Sequence, residues 1–159
     1  MASKPRTIDS SNSAVSFKVK KLGLLTIKGT ITDFTGDVAF SKDALEDASF
    51  HVCVSPSTID TGNVKRDEHL KSKDFFFVKE HPKICFQTTS IQAVNNGYKA
   101  NGKLTIAEVS REISIPFSLS DGVFAGQFAI NRMDFSLGKK FPAFIVGKTI
   151  QISIRCKIS

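Results

Sequence analysis

The sequence predicts an all-β protein: an antiparallel sheet of roughly eight to ten short strands, closed into a barrel or packed as a sandwich, with one short helix. Three observations carry this. Apolar and polar residues alternate with period two over most of the 159-residue chain. Turn-forming steps such as Asn95–Asn96–Gly97 and Asp121–Gly122 separate the alternating runs. A single stretch, residues 63–72, breaks the alternation.

The first run, AVSFKVKK, sets Val15, Phe17 and Val19 against Ser16, Lys18 and Lys20. SFHVCVS does the same with Phe50, Val52 and Val54 against His51, Cys53 and Ser55. EISIPFSLS alternates through Ile113, Ile115, Phe117 and Leu119, and GQFAIN continues with Phe128 and Ile130. The last run, TIQISIRCKIS, places Ile150, Ile152, Ile154, Cys156 and Ile158 on one face. A strand with one dry face and one wet face suits an antiparallel sheet. Gly29, Gly36 and Gly102 read as further punctuation between strands. Pro116 falls inside a run and predicts an edge or a bulge, because proline cannot donate to a ladder.

The exception, NVKRDEHLKS from Asn63 to Ser72, reads as a helix with Val64 and Leu70 as its chief apolar residues. Thr61 or Asn63 can cap its start, and Lys71 and Lys73 suit its C-terminal end. A lone helix beside an all-β chain predicts a cover over a barrel end or mouth. Phe75, Phe76 and Phe77 follow it directly; in an extended segment at most two of the three face inward.

Length and the lack of a linker or repeat indicate one domain, 1–159. The 14 Phe, with one Tyr and no Trp, need apolar surroundings, either as core packing or as the wall of a cavity. A net charge of +7 permits an anionic ligand or transient contact with an anionic membrane. Nucleic acid is not expected, because no basic stripe is interleaved with stacking aromatics. Cys53, Cys85 and Cys156 are odd in number and form no C-x-x-C pair, which argues against a disulfide framework or a zinc site. Cys85, on a strand, reads as a buried inert thiol. His51, His69 and His81 show no metal-ligand spacing, and no nucleophile, metalloprotease or phosphate-loop motif is present. No catalytic residue, metal or cofactor is therefore expected. The opening MASKPRTIDSSNSAVSF lacks an apolar signal core, so the expected location is cytoplasmic, or periplasmic if a leader has been removed.

Several ordered segments resemble the YceI-like family of polyisoprenoid-binding, lipocalin-like proteins. TIDSSNSAVSFKV matches its opening, and GTITDFTGDVAF its next strand. STIDTGNVKRDEHLKSKDFF, Ser57 to Phe76, resembles the family's S-x-x-T-x-x-x-x-R-D-x-H-L-x-S-x-D-F-F signature. HPKICFQTTSI, GYKANGKLTIAEVSREISIPF and INRMDFSLG follow in order. Two departures stand out. VKKLGLLTIKG carries Lys20 and Lys21 where the family often has an aromatic or His, and AEVSREI keeps Arg111 but lacks the family's Gly and Pro.

The resemblance implies an extended antiparallel β-barrel of about eight strands with a helix beside it, and a tunnel holding a long-chain amphiphile such as a polyisoprenoid, an isoprenoid quinone or a fatty-acid-like lipid. It also implies a homodimer and no chemistry. The expected bore comprises Phe17, Phe34, Phe50, Phe86, Phe117 and Phe128, with Phe75 and Phe76 from the run after the helix. The expected mouth, where a head group would sit, comprises Lys65, Arg66, Asp67 and His69 on the helix, with Arg132. Arg66 has a second reading, as a clamp on Asp60, Asp67 or Asp74. The alternative for the whole chain is a stress-response or interaction module whose barrel is filled by its own side chains.

Overall fold

The alternating runs fold as strands because β-branched and aromatic side chains at every second position leave one face to bury. In the computed structural model, which describes residues 4–159, these strands are β1 (Arg6–Thr7), β2 (Ala14–Lys21), β3 (Leu25–Ala39), β4 (Ser49–Asp60), β5 (Ile84–Val94), β6 (Gly97–Ile106), β7 (Val109–Ser120), β8 (Val123–Asn131) and β9 (Val146–Lys157). The expected unit 1–159 begins with Met1 to Ser3, which lie outside the described residues. One helix, α1 (Val64–Lys71), stands between β4 and β5, within the predicted 63–72.

Neighbouring strands run in the order β3-β2-β9-β8-β7-β6-β5-β4, and β4 pairs back onto β3. That last pairing closes eight antiparallel strands into a barrel. It decides between the two architectures that alternation alone left open. The two-residue β1 lies outside, on the C-terminal half of β3, through Arg6↔Val38 and Thr7↔Asp37.

One barrel end carries the β3–β4 connection and the β5–β6 and β7–β8 turns. It is filled by an aromatic cluster. Phe40 meets Tyr98 and Phe124 edge to face at 5.1 and 5.7 Å, Phe50 meets Phe124 at 5.1 Å, and Tyr98 stacks on Phe117 at 5.3 Å. Each such pair adds about 0.5–1.5 kcal/mol beyond the area it buries. The opposite end carries the β2–β3 turn, α1 with the segment after it, the β6–β7 turn and the 132–145 loop.

Two sequence expectations are corrected by strand register. Gly29, Gly36 and Gly102 lie inside β3 and β6 rather than between strands. Gly36 has φ 121° and sits where the backbone of His51 approaches too closely for a side chain. Gly102 lies against the Gln87–Thr88 backbone beside a register shift. These are sites of bulging and close approach, which glycine serves as well as turns. Cys53 and Cys85 are not separate thiols: they stand directly opposite each other on β4 and β5, 4.1 Å apart at Cα, and form a disulfide. Spacing along the chain gave no sign of it, because pairing register brings together residues 32 positions apart. Only Cys156 is a free thiol, and it is buried.

Pro116 marks a local edge. β7 pairs with β6 over Val109–Phe117, but with β8 only over Phe117–Ser120. Pairing with β8 stops where the proline has no N–H to give.

Candidate ligand-binding site

The inward faces of the strands enclose a cavity of about 630 Å³. That falls in the range of roughly 300–1,000 Å³ seen for small-molecule sites. All eight phenylalanines expected in the bore, Phe17, Phe34, Phe50, Phe75, Phe76, Phe86, Phe117 and Phe128, line its wall. Phe124 and Phe141 line it too and were missed. Phe124 alternates with Phe128 and Ile130 and so carried a period-two signal; Phe141 lies in a Lys-rich loop with no periodicity. Among the described residues no carboxylate lines the cavity. The Cys156 thiol on its wall is pushed up to about 11, chiefly by burial, so it stays protonated and neutral at physiological pH.

The mouth is built on α1. Asn63 caps the helix, its side chain accepting from the Arg66 N–H at 3.0 Å. Asp67 accepts from the Thr61 N–H at 2.9 Å and from the Thr61 hydroxyl, so it ties the helix to the end of β4 and does not line the cavity. Arg66 lines the cavity and is held in plane by Thr61: Nε donates to Oγ1 at 2.8 Å and Nη2 to the carbonyl at 2.7 Å. Among the described residues it forms no salt bridge with Asp60, Asp67 or Asp74. Lys21 and Lys65 add two more cations to the lining at this end, and the His69 imidazole lies with them. Leu70 points the helix's apolar side into the bore.

After α1 the chain turns sharply. Phe77 has φ 49°, so the run is not extended, and its ring packs on His81 at 5.8 Å while Phe75 and Phe76 face the cavity. Phe75 stacks on Phe141 at 5.5 Å, and His69 meets both rings edge-on at 5.3 and 5.5 Å. Gly138 has no side chain where the Phe75 ring lies, and its N–H donates to the Asp74 carbonyl at 2.8 Å. A polar clasp sits beside this aromatic plug: Asp74 holds His69 Nε2 at 2.9 Å and Lys140 Nζ at 3.0 Å. The hydrogen bond from His69, then that from Lys140, keeps the Asp74 carboxyl below its ordinary range. His81 lies apart, 3.8 Å from Glu108, so the two histidines do not meet.

Arg132, expected at the mouth, does line the cavity, but its guanidinium is turned to backbone. It is 1% exposed. Its guanidinium donates to the carbonyls of Leu137, Gly138, Phe141, Val146 and Gly147 at 2.6–3.0 Å. Burial lowers its pKa, and five carbonyl acceptors offset the loss of water. The planar fork thereby folds the 137–147 loop against the barrel and positions Phe141 over the mouth. An arginine buried in this way is committed to backbone and is not free for a head group.

A YceI-like domain matches residues 7–158. Among related proteins, a UPF0312 protein of Vibrio campbellii is 28% identical over 138 residues, covering 80% of this chain and 73% of that one. A UPF0312 protein of Pectobacterium atrosepticum is 29% identical over 105 residues, 66% of this chain; the matched region spans about half, 55%, of the relative's length. Among solved structures, Burkholderia cenocepacia BcnA superimposes with a TM-score of 0.87 at 23% identity, over 94% of this chain and 98% of that one. A polyisoprenoid binding domain from Saccharophagus degradans gives 0.73 at 14% identity, over 96% and 97%. The Campylobacter jejuni YCEI protein gives 0.76 at 26%, over 88% and 89%. The barrel, the helix at its mouth and the signature from Ser57 to Phe76 all fall within the matched span, and the chain belongs to the YceI-like family.

Proposed function

We propose that the barrel binds a long-chain amphiphile and sequesters or carries it without chemistry. The tail lies in the bore and the polar head at the cationic mouth. A polyisoprenoid, an isoprenoid quinone or a fatty-acid-like lipid fits this description. The observation that carries the reading is the apolar cavity of about 630 Å³, whose open end is lined by Lys21, Lys65 and Arg66 and, among the described residues, by no carboxylate. The polyisoprenoid binding domain among the structural neighbours supports the same class of ligand.

Magnitudes favour a long tail. Each buried methylene contributes about 0.8 kcal/mol. Association costs about 4–15 kcal/mol in lost freedom. About ten methylenes, worth about 8 kcal/mol, leave little surplus; about twenty leave a useful one. The head group then selects rather than drives. Arg66 is the best placed for it: Thr61 fixes its plane through Nε and Nη2, and among the described residues Nη1 takes part in neither bond. A guanidinium so oriented suits phosphate or carboxylate. The alternative, a barrel packed solid by its own side chains, is disfavoured by the size of the cavity.

The test is thermal unfolding of delipidated protein with added amphiphiles of increasing tail length. A ligand present at about a hundred times its Kd raises stability by about 2.7 kcal/mol. The midpoint should rise with tail length, and less so in Phe76→Asp. No shift for any isoprenoid or fatty acid would contradict the proposal.

A further inference from the structure

Exposed large apolar side chains are common singly and uninformative. Here four of them meet at one end of the barrel. Leu22, Leu24 and Leu25 on the β2–β3 turn are 54%, 87% and 59% exposed, and Phe144 on the 138–145 loop is 72% exposed. The turn and the loop are joined directly, the Leu22 N–H donating to the Ile145 carbonyl at 3.0 Å. Both flank the cavity opening: Lys21, Phe141, Ile145 and Val146 line it, whereas Leu22, Leu24, Leu25 and Phe144 do not. The exposed residues therefore form an apolar rim, not a part of the bore.

Two further facts point to what meets this rim. The segments 20–25 and 139–148 hold Lys20, Lys21, Lys139, Lys140 and Lys148 and no acidic residue. Among the described residues, only Lys140 of these is bridged, to Asp74. The turn also keeps leucine where backbone geometry disfavours it. Leu22 has φ 55° and Gly23 φ 73°, two successive left-handed residues in the three-residue turn between Lys21 and Leu25, a conformation that asparagine or glycine fills best. Neither burial nor backbone preference accounts for an exposed leucine there.

We propose that this rim docks on the surface of an anionic lipid bilayer, with Leu24 and Phe144 entering the acyl boundary and the lysines facing the lipid head groups. Apolar side chains that insert shallowly within a ring of lysines bind an anionic interface by both terms together. A protein partner would need acidic groups set around an apolar centre; a bilayer supplies both at every orientation. The inference rests on the carrier reading for its purpose, since docking sets the cavity mouth against the membrane from which an amphiphile would enter. It does not rest on that reading for its geometry.

Co-sedimentation with vesicles of phosphatidylglycerol and phosphatidylcholine, against phosphatidylcholine alone, tests it. Binding is expected to the anionic vesicles, to weaken as salt rises, and to fall by on the order of a hundredfold in Leu24→Asp/Phe144→Asp. Because the chain has no Trp, Phe144→Trp is a single-site reporter whose emission should shift to the blue on binding. The same samples are weighed for bound amphiphile. Retained ligand with no vesicle binding and no blue shift would overturn the docking surface while leaving the carrier reading intact. Vesicle binding and blue shift without any ligand would support docking and count against the carrier reading. A dimer in solution that Leu24→Asp/Phe144→Asp splits would assign the rim to self-association and overturn the proposal.

Discussion

The ring of Phe75 lies parallel to that of Phe141, 13° apart in plane and 5.5 Å between centroids, and so joins the segment after α1 to the loop before β9. Both rings also line the cavity. The stack spans the mouth between two segments that are also tied by the Gly138–Asp74 and Asp74–Lys140 contacts, and in the proposed carrier it would act as a plug over the tunnel.

Removing half of that stack should ease passage without changing the bore. Phe75→Ala or Phe141→Ala forfeits about 0.5–1.5 kcal/mol of ring–ring attraction in addition to apolar burial. The dissociation rate of a fluorescent fatty acid should rise several-fold in either variant, and the double variant should be little faster than the single ones. Unchanged rates in both would show that amphiphiles use another route.

The clasp beside the plug is set by acid, and its direction follows from Asp74. A carboxyl whose pKa is depressed in the folded state contributes stabilisation that is present above its ordinary value of 3.8 and is lost as pH falls through the lower folded value. The clasp is therefore intact at neutral pH and releases His69 and Lys140 only in strong acid. Asp74→Asn should produce the released state at pH 7. Solvent still reaches the carboxyl, whose side chain is 22% exposed, so ligand exchange should quicken by no more than about fivefold. Wild-type exchange should stay flat from neutral pH into the acid range and quicken only there; an Asp74→Asn rate at pH 7 equal to that of wild type would refute the clasp.

The Cys53–Cys85 disulfide encloses the whole mouth segment from Thr61 to His81. Closing a loop of that length stabilises a fold by about 4 kcal/mol in the chain-entropy account. Reduction, or the double change Cys53→Ser/Cys85→Ser, should lower the thermal midpoint by about 10 °C. Thiol titration of the native, unreduced protein should find none reactive, since Cys156 is buried and protonated. Two reactive thiols in the native state would contradict the pairing.

Arg132 is predicted to be a structural residue. Its loss strands buried carbonyls, at about 1–3 kcal/mol for each left without a partner. Arg132→Met should destabilise by about 3 kcal/mol or more in urea unfolding, and Arg132→Lys by a similar amount, since an ammonium cannot reach five acceptors in one plane. A loss under about 1 kcal/mol in both would mean that the 137–147 loop does not depend on it.

How much of this was legible depended on whether the signal was local. Phe50, Val52 and Val54 announced their side of the sheet by alternation, and all three line the cavity. Asn63 announced the start of α1 by residue type and position, and it caps the helix. The disulfide and the in-strand glycines depend on which strand lies opposite, which no window of sequence contains. Arg132 was expected only as a mouth residue for a head group. The carbonyls that engage it come from residues 137–147, folded back by contacts that exist only in the finished structure. Phe141 escaped for the same reason, since the loop that aims it is organised by Arg132.

The central claim is that the bore holds an amphiphile's tail, and mass spectrometry of the freshly purified protein tests it most directly. Native spectra, followed by organic extraction, should show one long-chain molecule per chain, diminished in Phe76→Asp and altered in head-group class in Arg66→Glu. A clean mass of the bare chain, together with no uptake of isoprenoid or fatty acid from solution, would contradict it.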